Sequence, residues 1–167
     1  MPTVFLGSVG PLLIVLHALL ALVLGGASVH QAVIATQVLR GRPLPGRLAR
    51  LYSLIALSAY LMTLLSGALV YPRYRYFVRG LYLDRYAPWA SNLFDFKENL
   101  ATLGLPLAIG AFVLARELLP TSPAAPRGPQ PGLKAVRLLY GLFALGTSLI
   151  SVFNIVAGLL CTSVRGV

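Results

Sequence analysis

Charge is what this sequence mostly lacks. Only four acidic residues occur in 167, Asp84, Asp95, Glu98 and Glu117, and residues 1–39 contain no Asp, Glu, Lys or Arg at all. Three more uncharged runs follow, at 51–72, 99–115 and 138–164. Each is close to or above the ~20 apolar residues a helix needs to cross a bilayer core. No run carries an ionisable carboxylate or cation near its centre, which argues against a proton pump or an ion-coupled transporter. Internal repeats are absent too, and four spans without a repeat fit poorly with a stand-alone secondary transporter. The single cysteine, Cys161, excludes an intrachain disulfide. Paired carboxylates within a span, a Ser/His/Asp set, a His–Glu metal motif and a phosphate-cradling glycine loop are all missing, which lowers the expectation of an enzyme.

What is present is hydrophobic. Such residues make up 57% of the chain against 11% charged, too lopsided for a soluble domain of this size. Backbone polar groups cannot be left bare in lipid, so the alternatives are helices or a closed barrel. Barrel strands alternate apolar and polar residues, and segments 11–24 and 54–65 do not. The reading is an all-α, integral membrane four-helix bundle forming one domain over 1–167. Its expected spans lie at about 12–38, 51–70, 100–119 and 135–160. The second is expected to stop at Tyr71-Pro72, and the third has Asn92 as a candidate cap. Five prolines within 120–132 predict an extended linker. The first span is expected to be retained, since no basic region precedes it and its apolar run is too long for a signal peptide.

The net charge of +10 does not indicate nucleic acid, because the basic residues lie between or just beyond the spans, where topology and headgroup contacts put them. Loops one and three share Arg40, Arg42, Arg47, Arg50, Arg116, Arg127, Lys134 and Arg137. The other side has Arg73, Arg75, Arg79, Arg85, Lys97 and Arg165. Eight against six predicts both termini on the periplasmic side. Twelve arginines in a background rich in Ala, Leu and Gly point to a GC-rich bacterial genome, hence to a bacterial inner membrane.

Residues 71–99 hold nine of the 16 aromatics and eight of the 18 charges. On a 3.6-residue helix Tyr74, Phe77, Val78, Leu81 and Tyr82 share one arc, with Leu83 an exception, an amphipathic pattern suited to an interfacial segment between spans two and three. One reading is a plain interfacial cap, since Tyr, Trp and Arg collect at that depth. The other is a ligand-binding mouth in which Arg73, Arg75 and Arg79 hold an anionic or carbonyl-bearing group. Asp95, Glu98 and Thr102 fall on one helix face and would meet those arginines in an ion-pair network, which could also simply fasten the loop.

Both histidines, His17 and His30, sit in the first span, which raises haem b. They are 13 residues apart, ~20 Å along the axis and about 140° around it. They therefore cannot share a ligand from one face, and no other span supplies a histidine. A homodimer could pair either with its symmetry mate, or His30 and Met62 could act as axial ligands. The bland reading is that His17, Ser28 and Gln31 form interhelical hydrogen bonds, and that Thr147, Ser151 and Asn154 act as polar glue on the fourth span. Gly25, Gly26, Gly141 and Gly146 would let neighbouring helices approach closely.

The run Leu16-His17-Ala18-Leu19-Leu20-Ala21 followed by Gly25-Gly26 resembles the first helix of several small membrane families, the copper-resistance D family and cytochrome b-like bundles among them. The likeness covers one helix and implies no residue role. The preferred expectation is a non-enzymatic membrane protein, an accessory subunit or a bundle that binds a lipid or another small hydrophobic ligand. The alternatives are a haem b redox protein using His17 or His30 and a membrane enzyme acting on lipid or isoprenoid. Its partners would be the lipid bilayer and a membrane protein or a second copy, with no nucleic acid.

Overall fold

The computed structural model describes residues 9–42, 46–118 and 132–165. Helix α1 spans Gly10–Leu39, α2 Gly46–Arg73, α4 Pro88–Glu117 and α5 Leu133–Val164. A wide-wound π-helical extension, Tyr74–Leu83, and the short α3, Asp84–Tyr86, continue α2. No strand occurs among the described residues. Four helices are long and apolar enough to cross a membrane, so this is a multi-pass membrane protein. The linker expected at 120–132 lies outside the described residues, save for Gly132.

The helices run up, down, up, down, and each packs mainly on two neighbours, in the ring α1–α2–α4–α5. The burial pattern is inverted relative to a soluble protein. Large side chains such as Leu12, Leu22, Leu65 and Leu149 face outward, while most buried apolar residues are alanines, including Ala35, Ala49, Ala108, Ala111 and Ala144. Lipid tails are as apolar as leucine, so water-driven burial cannot pull these helices together. Small residues that bring backbones close, with hydrogen bonds between helices, do so instead.

Each seam of the ring has a specific tie. Between α1 and α2, the Gln31 amide donates to Ser53 Oγ at 3.0 Å, and His17 Nδ1 lies 3.0 Å from Ser66 Oγ. The Tyr60 hydroxyl of α2 donates to the Ala101 carbonyl of α4 at 2.9 Å. Ser148 on α5 donates to the Ser28 carbonyl of α1 at 2.5 Å. Cys161 Sγ is 3.5 Å from the Ala90 carbonyl across α4 and α5. Gly104 makes the Tyr60 contact possible, because the phenol occupies the place its Cβ would take. Gly141 does the same for Leu39 on α1, and Gly25 for Ile155 on α5, as expected, whereas Gly26 faces open space.

Two boundaries differ from expectation. Pro72 does not stop α2, which runs through it to Arg73 and continues as a wider winding. The third span starts at Pro88, at the first helical position, where a missing N–H costs nothing. Asn92 therefore lies inside it. At the other end of the bundle α1 closes with a Schellman turn: Arg42 N–H donates to the Gln37 carbonyl and Gly41 N–H to the Val38 carbonyl, both at 3.0 Å. Gly41 takes the left-handed φ of 72° that this turn requires.

Gly104→Ala places a methyl in the Tyr60 ring and should cost about 1–3 kcal/mol, the range for overpacking. Tyr60→Phe, which removes only a hydrogen bond, should cost about 0.5–1.5 kcal/mol. Thermal unfolding in detergent reads both. A Gly104→Ala protein that melts with the wild type would refute the close α2–α4 seam.

Candidate functional site at the aromatic mouth

The mouth is built where α2 runs past Pro72. A proline removes one donor from the helical ladder and crowds the carbonyl four residues back, and wide π turns, with i→i+5 bonding, begin directly after it. This winding changes which side chains share a face. The buried stripe is Tyr74, Val78 and Leu83, at spacings of four and five. Phe77 and Leu81, expected to share an apolar arc with Tyr74 and Val78, are exposed instead of packed with them, and Leu83, the exception in that pattern, is fully buried. The stripe packs on Ala87, Ala90 and Phe94 at the start of α4, with Val164 of α5 alongside. Tyr74 stacks on Phe94 with centroids 4.0 Å apart.

Arg79 closes this hairpin. Its two terminal nitrogens donate to the two Asp95 oxygens at 2.5 and 2.8 Å, a forked pair, and its Nε lies 3.6 Å from Asp84. Ser91 donates to the same Asp84 at 2.6 Å. Asp84 and Ser91 had no legible signal in the sequence, since they meet only when the extension folds back along α4. Lys97 lies over the Phe94 ring at 4.3 Å, Arg165 over Tyr82 at 5.2 Å and Arg73 over Phe77 at 5.9 Å. Cations on aromatic faces at a membrane boundary combine attraction to the ring with an apolar stem against the protein.

The three arginines do not converge. Arg79 is engaged by two carboxylates, Arg73 turns toward Gly10 at the start of α1, and Arg75 is exposed. Glu98 is half-buried on α4, and among the described residues no ion pair joins it to Arg75 or Arg79.

The structure also separates the proposed haem ligands. His30 stacks on Tyr52 with centroids 4.8 Å apart, and its neighbour Gln31 meets Ser53, so the α2 residues level with His30 are 52 and 53. Met62 is nine or ten positions further along, ~14 Å at 1.5 Å per residue, and exposed on the outer surface. His17 lies level with Ser66, partly buried against Gly67. His30 is exposed, with Nδ1 2.9 Å from the Gly26 carbonyl. With a carbonyl as its partner, Nδ1 is the donor in that contact.

The interhelical role foreseen for His17, Ser28 and Gln31 is present, with Ser28 contributing its carbonyl. The polar line on α5 behaves differently. Thr147, Ser151 and Asn154 bond to carbonyls four residues back on their own helix, and Ser148 carries the link between helices. A short side chain satisfies itself locally when no partner is in reach. Among the described residues no group of three or more His, Cys, Asp or Glu could hold a metal ion.

One concavity lies on the outer face. It measures about 410 Å³ between α1 and α5 and is lined by Val29, Ala32, Val33, Thr36, Leu145, Ser148, Leu149 and Val152. Its two hydroxyls are already used, Thr36 on the Val33 carbonyl and Ser148 on Ser28 and Ala144. The rest of its lining is apolar. No family model, no curated protein and no solved structure matches this chain.

Asp95→Asn leaves Arg79 with the longer Asp84 contact alone. Both carboxylates are nearly half exposed, so solvent screening limits the loss to about 1 kcal/mol. Limited proteolysis should then cut within 74–86 several-fold faster, and Asp84→Asn should have a smaller effect. Unchanged cleavage in an Asp95→Asn, Glu98→Gln protein would remove the fastening role.

Proposed function

We propose that this chain is a non-enzymatic membrane protein that acts by binding an apolar partner within the bilayer plane. The observation that carries the reading is the apolar groove between α1 and α5. The polar groups named in the helix seams are spent on joining helices, and the groove offers shape without hydrogen-bonding demand. A hydrophobic ligand chain or the aliphatic ridge of an accessory partner's helix fits that chemistry, and both place the functional surface outside the bundle.

A photo-crosslinking residue at Val33 separates the two. It should yield one discrete adduct, of low mass for a small ligand or of protein mass for a partner subunit. The same probe at Leu103, exposed on α4, should label bulk lipid diffusely. Identical patterns at the two positions would dismiss the groove as a binding surface.

A second reading, a haem b protein, is favoured by one observation, the exposed His30 ring with its Nδ1 tied to the Gly26 carbonyl. An imidazole exposed inside an apolar helix face is costly unless it has a task, and a tied Nδ1 is the usual support for a ligating Nε2. With Met62 out of reach, the second axial ligand would come from His30 of a second copy. Under this reading the purified protein shows a Soret band that shifts on dithionite reduction. His30→Ala abolishes it and His17→Ala leaves it. A featureless visible spectrum from cells supplied with haem would reject it.

A further inference from the structure

The two ends of the bundle carry similar numbers of cations but dispose of them differently. At the mouth, six basic residues meet Asp84, Asp95 and Glu98, and Arg79 is neutralised by two of them. At the opposite end Arg40 and Arg42 close α1, Arg47 and Arg50 open α2, Arg116 ends α4, and Lys134 and Arg137 open α5. Glu117 is the only acid on that side of the chain. No ion pair forms among the described residues there. All seven are exposed except Arg137, which is half-buried with its Nε enclosed and without a hydrogen-bond partner.

These helices are 28–32 residues long, ~42–48 Å, against a hydrocarbon core of ~30 Å. Their ends therefore reach headgroup depth on both sides. Seven cations gathered there against the single carboxylate of Glu117 repel one another unless anions from the surroundings sit between them. We infer that this end is a docking surface for anionic phospholipid headgroups, whose phosphodiesters neutralise the arginines, and that it faces the anionic leaflet. Arginine's planar fork suits a phosphate. Lipid is favoured over nucleic acid because the charges encircle the ends of four spans at headgroup level.

The test uses the full chain in neutral detergent, offered equimolar phosphatidylglycerol and phosphatidylcholine, with retained lipid counted by native mass spectrometry. Phosphatidylglycerol should be retained at least about fivefold over phosphatidylcholine, the factor that about 1 kcal/mol per basic residue allows for even one charge. The preference should weaken as salt rises. It should be lost in R47Q/R50Q/R116Q/R137Q and kept in R75Q/R85Q, which alters the opposite end. The salt series on the unaltered chain stands even if the fourfold variant fails to fold. Equal retention of the two lipids would overturn the inference, as would equal loss in both variants. An RNA oligonucleotide that displaces the lipid at equal phosphate concentration would overturn it as well.

Discussion

Association of helices in a medium as apolar as their own side chains is the constraint on which the rest of this molecule depends. With no hydrophobic gain from pressing leucine on leucine, the bundle places leucine and valine outward and brings alanine, glycine and serine together. Close approach then lets short side chains reach across. Ser148 reaches the Ser28 carbonyl, Gln31 reaches Ser53, and Tyr60 reaches the Ala101 carbonyl over Gly104. Each tie needs a backbone near enough to meet it, so the small residues and the hydrogen bonds are one device. The groove between α1 and α5 is a product of the same device, since Ala32 and Ser148 leave space where larger neighbours rise on either side.

The mouth shows how the backbone adapts where a proline interrupts this scheme. A soluble chain could end its helix at Pro72, but here α2 continues as wider turns and projects a hairpin with the start of α4. The widened winding buries Tyr74, Val78 and Leu83, and it brings Arg79 to Asp95. Several aromatic and basic residues of 71–99 thus have structural partners already: Phe94 with Tyr74 and Lys97, Tyr82 with Arg165. At the opposite end no ion pair forms among the described residues. The ion pairs among the described residues lie at the mouth, where Arg79 meets Asp84 and Asp95.

The class and span number were legible because runs of uncharged residues have one stable outcome in lipid. The inter-helix roles of His17 and Gln31 were legible as well, since a polar group in a span must find a partner. The α5 polar line was misjudged as glue because sequence spacing shows which residues share a face but not whether a neighbour's polar atom lies opposite. The proposed pairing of His30 with Met62 failed on register: antiparallel helices share a depth only after the turn between them sets the offset, and that offset places Tyr52 beside His30.

By itself, then, the sequence determined a four-span helical membrane protein with a basic, aromatic segment after the second span, because hydropathy and charge act locally along the chain. Tertiary structure alone decided that Pro72 widens a helix instead of ending it. It also decided that Arg79 is held by Asp95 and Asp84, and that an apolar concavity lies between α1 and α5. Those outcomes depend on which backbones come within reach of one another, and that follows from how the small residues of four helices mesh.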